Sequence, residues 1–465
     1  MKKYLLKFLF WAVLAGLCYA TGVLVLRQIP RKMPTQPVAM RSTVRTILAE
    51  KCAACHDSTR GCPFYGKIPG LVSLIGEERR KALRHWEPGN RNYLGPKATE
   101  GQKLDAPTPL AVLAKLENVL LDNSMPPHPY LIIHWGTWLS HSEKAILQSW
   151  CNVVRHEWLE QWGITNNTEK IVQPIPEHLP FHAEKAALGE KLFHDKRLSA
   201  DESLSCASCH QLEKGGADGI AMSKGIAHRS SHLNTPTVLN AVFNLRQSWD
   251  GRAADLAEQA KIPVVNPVMM GCTNWTQVIS RLAEDAPLKA SFTAVYPEGF
   301  TERTISNAIA EYGKRLITPG ARFDRYLKGH KTVFSHDEDI GYKLFRQYSC
   351  TRCHAGPTLG GQSFEYADLK DNPFKGRILT EGDAGLQAFS GYPEDAHRFK
   401  VPTLRNVALT APYLHDGSKN SLVDAVASML TYQLGIPYTE DDVRAVAAFL
   451  HTLTGELFGK PLAKE

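Results

Sequence analysis

Cys206-Ala207-Ser208-Cys209-His210 is the stretch on which the fold of this chain turns, because its C-x-x-C-H pattern recurs at Cys52-Ala53-Ala54-Cys55-His56 and at Cys350-Thr351-Arg352-Cys353-His354. Two thiols at this spacing add to the two vinyl groups of one porphyrin, and the next residue offers an imidazole to the iron. The pattern is therefore that of c-type haem attachment. One copy would leave a zinc or redox site in play; three copies, starting 154 and 144 residues apart, do not. The expected cofactors are three covalently bound c-type haems. Cys52, Cys55, Cys206, Cys209, Cys350 and Cys353 would hold them, with His56, His210 and His354 on iron.

The rest of the chain agrees with a set of small helical haem domains. With 465 residues, 43% hydrophobic and 22% charged, it can bury substantial cores and is neither disordered nor fibrous. Fifty-four basic residues against 47 acidic ones give a weak excess without a block of five like charges, which excludes a nucleic-acid-binding arm. An apolar stripe runs through Val44-Arg45-Thr46-Ile47-Leu48 just before the first motif. Capping patterns open helices at Ser335 with Glu338, Ser140 with Glu143 and Thr439 with Asp442. Strand-like alternation is scarce. The reading is a mainly α chain: a membrane anchor over 1–27 and three tandem cytochrome c-like haem domains over 28–165, 166–335 and 336–465. Pro-containing linkers at Ile29–Pro34 and Pro174–Pro180 separate the parts.

Lys2, Lys3 and Lys7 precede an uncharged apolar run from Phe8 to Leu26. Nineteen helical residues span about 28 Å, close to the hydrocarbon thickness of a bilayer. A signal peptide cleaved near Cys18-Tyr19-Ala20 competes, but the apolar run continues past that point and favours an uncleaved single-pass helix. Since c-type haem is attached outside the bacterial cytoplasmic membrane, the expectation is an inner-membrane anchor with the haem domains in the periplasm.

Each iron also needs a sixth ligand or an open position. Methionine opposite histidine raises the potential and suits electron transfer, whereas an open side admits peroxide. Met125 lies 73 residues after Cys52 and Met429 lies 79 after Cys350, equivalent late positions for a ligating methionine. His128 and His134 are the rivals at the first haem.

From about residue 180 to 455 the chain resembles the bacterial dihaem cytochrome c peroxidases. The resemblance rests on Asn234-Thr-Pro-Thr-Val-Leu-Asn240, Trp249-Asp-Gly-Arg252, Val401-Pro-Thr-Leu-Arg-Asn406 and Thr410-Ala-Pro-Tyr-Leu-His-Asp-Gly417, together with two haem motifs in order. With its extra haem domain and apolar N-terminus, the whole is similar to the trihaem, membrane-anchored quinol peroxidases. The resemblance implies reduction of H2O2 to water with electrons from quinol or, alternatively, periplasmic reduced cytochrome c. It makes the His210 haem peroxidatic and the His354/Met429 haem the electron-transfer centre, with Trp249 between them and the His56 haem as the entry point. It further implies Gln259 in the peroxide pocket and a calcium ion held by Asn234, Thr410 and Pro412. A homodimer fits it, although no interface is legible in the sequence.

The sequence departs from the family at the peroxidatic site. Met269, in Asn266-Pro-Val-Met-Met-Gly271, occupies the place of a distal glutamate. Proton transfer by such a base is worth roughly 10²–10⁴-fold, and a thioether cannot supply it. Ser248 stands where an aromatic residue commonly precedes the tryptophan, and Ile226 falls where some relatives carry an iron-capping histidine, with His228 and His232 further on. Either histidine is a candidate cap or replacement base. The alternative function is a non-peroxidatic multihaem electron carrier whose middle iron is closed by Met269 or Met270. A third reading, a relative that oxidises protein side chains through a tyrosine-ligated haem, rests only on Tyr432 and is opposed by Met429. Cys62, Cys151 and Cys272 remain, with a Cys62–Cys151 bridge feasible in an oxidising compartment.

Overall fold

The three capping patterns form as helix starts. The Ser335 N–H donates to the Glu338 carboxylate (2.8 Å) while Ser335 Oγ accepts the Glu338 N–H (3.3 Å). Ser140 with Glu143 (2.8 and 3.2 Å) and Thr439 with Asp442 (2.9 and 3.1 Å) repeat the exchange. Each satisfies two otherwise unpaired donors and is worth about 1 kcal/mol. The computed structural model describes residues 2–28, 31–34, 37–57, 61, 72–85, 109–127, 130–131, 137–165 and 170–463, and these are mainly helical. They form two compact units, Met1–Asn90 with Lys115–Glu157, and Arg91–Ala114 with Trp158–Glu465.

In the first unit, α1 (Lys2–Gln28) is followed by α2 (Pro37–Lys51), which buries Val44 and Ile47 and leads into the first motif on α3 (Ala53–His56). Further helices are α4 (Val72–His85), α5 (Leu110–Asp122), which belongs to this unit from Lys115 on, and α6 (His141–Glu160), which belongs to it as far as Glu157. Glu117 of α5 forms a buried ion pair with Arg155 of α6, and Gln148 donates to the same carboxylate at 2.8 Å. Among the described residues no helix is long and apolar enough to cross a membrane, which corrects the expected single-pass inner-membrane anchor over 1–27. Polar groups with partners of their own interrupt the apolar run: the Tyr19 hydroxyl donates to the Leu131 carbonyl (3.1 Å), and Thr21 Oγ1 turns back on the Leu17 carbonyl (2.8 Å).

The second unit contains two lobes built on the same device. Ahead of the second motif, α7 (Ala183–Phe193) crosses α12 (Glu302–Gly313) at Gly189, where a Cβ would overlap the Ala308 carbonyl. Ahead of the third, α14 (His336–Gln347) crosses α16 (Glu440–His451) at Gly341, where a Cβ would overlap the Ala445 carbonyl. Glycine is required at both because the backbones touch. Between them in sequence lie the motif turn α8 (Cys206–Cys209), α9 (Leu256–Val265), α10 (Trp275–Ala283), α11 (Ala286–Val295), α13 (Arg322–Leu327) and, later, α15 (Leu422–Ser428). One core, with Leu188, Leu192, Val264, Phe292 and Ile305, receives Cys206; another, with Phe323, Phe345, Val426, Leu430 and Phe449, receives Cys350.

Strands are few. β1 (Phe364–Tyr366) pairs antiparallel with β2 (Arg398–Lys400) in the register Phe364↔Lys400, and β3 (Glu456–Leu457) pairs with β4 (Lys460–Pro461). Arg405, fully buried, ties the incoming linker to the third-motif lobe. It pairs with Asp324 (2.7 Å) and donates to the carbonyls of Pro357 (2.8 Å) and Gln173 (3.1 Å).

Candidate active site

The motif residues are arranged for haem. Ser205 and Ser208 form a capping box around α8, and His210 follows as its C-cap. His210 Nδ1 lies 3.2 Å from the Gly216 carbonyl and His354 Nδ1 lies 2.8 Å from the Leu359 carbonyl. A carbonyl only accepts, so each Nδ1 carries the proton and each Nε2 keeps the lone pair that iron requires. Burial lowers the pKa of both imidazoles, which favours the neutral, ligating form. Burial also pushes the Cys52, Cys206 and Cys350 thiols up to about 12. His56 is likewise buried.

Trp249 sits where segments following the second and third motifs meet. Its Nε1–H donates to the Asn234 carbonyl (2.9 Å), and its own carbonyl accepts the Lys400 N–H of β2 (2.8 Å). The indole ring meets Phe399 and His415 edge-on, each at 6.5 Å between centroids, and those two rings stack on one another at 4.2 Å. His415 Nε2–H donates to Asp383 (2.8 Å), and Arg377 bridges Asp383 and Asp416 (2.6 and 2.7 Å). Burial works to raise the Asp383 pKa, but hydrogen bonds from Thr380 and His415, with the Arg377 charge, outweigh it and hold the carboxyl at about 2. Ligand atoms of Asp383, His415 and Asp416 lie within 4.8 Å of one another, yet Arg377 already supplies the positive charge, so the cluster is an ion-pair network.

Next to the tryptophan, Ser248 adopts a left-handed backbone (φ 68°) and donates to Gln259 Oε1 of α9 at 2.6 Å, which joins Gln259 to the Trp249 segment. α9 continues into the turn 266–270. Met269 is 39% exposed there, whereas Met270 is only 5% exposed and packs in the core of that lobe. The loop 225–229 lies against this turn: the Ile226 N–H donates to the Met269 carbonyl (2.8 Å), and Arg229 reaches the Pro267 carbonyl (2.9 Å). Ala227 and His228, consecutive and exposed at its tip, are both left-handed (φ 52° and 56°). Non-glycine residues in that region are strained by roughly 1–3 kcal/mol each. His232 lies 3.7 Å from Glu381.

Met429 opens a π-helical turn, Met429–Leu434, that continues α15 and packs through Leu430 in the core that receives Cys350. Such turns recur at functional sites because the extra residue re-aims a side chain. Tyr432, in the same turn, offers its carbonyl to the Lys370 N–H at 2.9 Å. Met125 is 41% exposed. His128, His134 and Cys62 lie outside the described residues, while Cys151 and Cys272 are buried free thiols. Asn234, Thr410 and Pro412 come from converging segments. The Asn234 N–H donates to the His415 carbonyl (2.7 Å), and its Nδ2 donates to the carbonyls of Ile220 (3.0 Å) and Ala221 (3.3 Å).

Residues 183–332 match the family model of di-haem cytochrome c peroxidase, and residues 25–153 match that of a haem-binding domain. The chain is 40% identical over 420 residues to cytochrome c peroxidase Ccp of Escherichia coli, covering 90% of this chain and 89% of that one. It belongs to the di-haem cytochrome c peroxidase family. Cytochrome c551 peroxidase of Nitrosomonas europaea is 41% identical over 61% of this chain and 84% of its own. Among solved structures, a MauG-like protein associated with microbial copper homeostasis matches with a TM-score of 0.53 at 29% identity, over 61% of this chain and 93% of that one. The family motifs singled out in the sequence thus come together around Trp249. Asp383, Arg377 and Lys400 complete that cluster and were not singled out. Asp383 and Arg377 lie outside every motif, and only the position of Lys400, between apolar Phe399 and Val401, signalled anything.

Proposed function

We propose that this member of the di-haem cytochrome c peroxidase family is a peroxidase with three c-type haems, at His56, His210 and His354, that reduces H2O2 to water with electrons from quinol or reduced cytochrome c. The observation that carries the reading is the place of Trp249, hydrogen-bonded on one side to Asn234 and on the other to β2 of the third-motif lobe. When bound, the haems supply electron storage and cleavage of the peroxide O–O bond. The protein's own part is to hold an aromatic group between the two lobes, to anchor it by two backbone hydrogen bonds, and to keep the imidazoles neutral with Nε2 free of its proton. Met429, at the head of its π turn, and Met125 are the proposed sixth ligands of the His354 and His56 irons.

Gln259, held by Ser248 on the helix that leads into the Met269 turn, is proposed to orient peroxide at the His210 iron. Met269 cannot move a proton, and the strained, exposed His228 on the adjoining loop is the proposed substitute base. Burial of Met270 in the core supports packing rather than iron ligation for that residue, which weighs against a closed middle iron. Asn234 with the backbone carbonyls of Thr410 and Pro412 offers neutral oxygens to a calcium ion, a hard cation that takes such donors. Three covalent haems per chain by intact mass, and peroxide turnover with a quinol analogue or reduced cytochrome c, are the expected results. Two haems per chain, or turnover no faster than free haem, would overturn the reading.

A further inference from the structure

Lys400 is only 6% exposed, and it makes no side-chain hydrogen bond or ion pair with the described residues. Burial alone acts on its ammonium, lowering its pKa to about 8, with no carboxylate near enough to offset the loss of water. Acids close to it along the backbone are paired with other cations: Asp250, next to Trp249, accepts from Arg252 (2.6 Å), and Asp395, five residues before Lys400, accepts from Arg398 (3.1 Å). A buried, uncompensated cation is costly, and buried charges are ordinarily paired. Its backbone fixes its place, since the Lys400 N–H donates to the Trp249 carbonyl and β1–β2 pairing sets it opposite Phe364.

An anion that neutralises a buried ammonium must arrive with something bound in the interior. A haem carries two carboxylates on an otherwise apolar ring.

Resting on the reading of haems at His210 and His354, we propose that Lys400 is a positioning residue that pairs with a propionate carboxylate of one of the haems flanking Trp249. It thereby fixes the orientation of that haem edge toward the indole and raises the potential of that iron. Loss of the positive charge favours the ferric form, so the midpoint falls.

The test is spectroelectrochemical titration of the purified holoprotein as wild type, K400R and K400Q, with covalent haem counted on each sample by pyridine haemochrome. The expected result is full haem content in all three. In K400Q one haem midpoint should fall by about tenfold in its reduction equilibrium, 59 mV for one electron. K400R should stay within a third of that shift. Unchanged midpoints for every haem in fully loaded K400Q would overturn the pairing. Wild-type protein lacking haem at both flanking motifs would overturn the parent reading, and this one with it.

Discussion

The Trp249 indole N–H is fixed to the Asn234 carbonyl at 2.9 Å, so the ring is held by backbone rather than by a movable side chain. Its edge-on contacts with Phe399 and His415 leave little room for rotation. Replacing it with phenylalanine keeps most of the packing and loses one hydrogen bond, worth about 1 kcal/mol. Trp249→Phe is expected to retain fold and haem content and to lose peroxide turnover at least tenfold. Steady-state turnover at saturating donor, beside thermal unfolding of the same sample, checks this.

Gly341 and Gly189 make the two helix crossings on which the motif lobes depend. Gly341→Ala forces α14 away from the Ala445 carbonyl and is expected to cost about 1–3 kcal/mol, the usual cost of overpacking. A lower denaturant midpoint with an unchanged slope is the expected outcome. Gly189→Ala should behave alike in the other lobe.

These crossings show how far the sequence could be read. The haem motifs, the capping boxes and the tryptophan segment are local patterns, legible in the sequence, and the capping boxes form as read. The crossings pair α7 with α12 and α14 with α16 across long separations, and nothing at Gly189 or Gly341 distinguishes them from turn glycines. Asp383 and Arg377 were illegible for the same reason: their meaning depends on His415 and Asp416, which folding brings to them. The anchor expected from the apolar run at 8–26 rested on composition alone, and among the described residues no helix is long and apolar enough to cross a membrane.

Asp383 carries a pH signature. Its folded pKa, about 2, lies below its ordinary value of 3.8. The stabilisation is therefore fully present above about pH 4 and is lost as pH falls through 2. Denaturant midpoints measured between pH 5 and 2 should fall in the wild type. Asp383→Asn should be less stable at pH 5 and show a flatter profile over the same window.

Met269 marks the departure from the family pattern. If His228 supplies the distal base, Met269→Glu should raise peroxide turnover less than tenfold, while His228→Ala should lower it by roughly 10²-fold, the low end of what a general base contributes. The ratio of the two, read from kcat at saturating peroxide, is the outcome that matters. A gain of 10²-fold or more in Met269→Glu would show that the chain lacks a proton relay altogether.

The central claim is that the His210 iron is open to peroxide while the other irons carry electrons to it. The most direct measurement is an EPR and absorption spectrum of the half-reduced protein, taken before and after H2O2. The account predicts a high-spin ferric signal that disappears when peroxide is added, with re-oxidation of the reduced haem in the same sample. Three low-spin haems that peroxide leaves untouched would contradict it, and would make the chain an electron carrier built on a peroxidase frame.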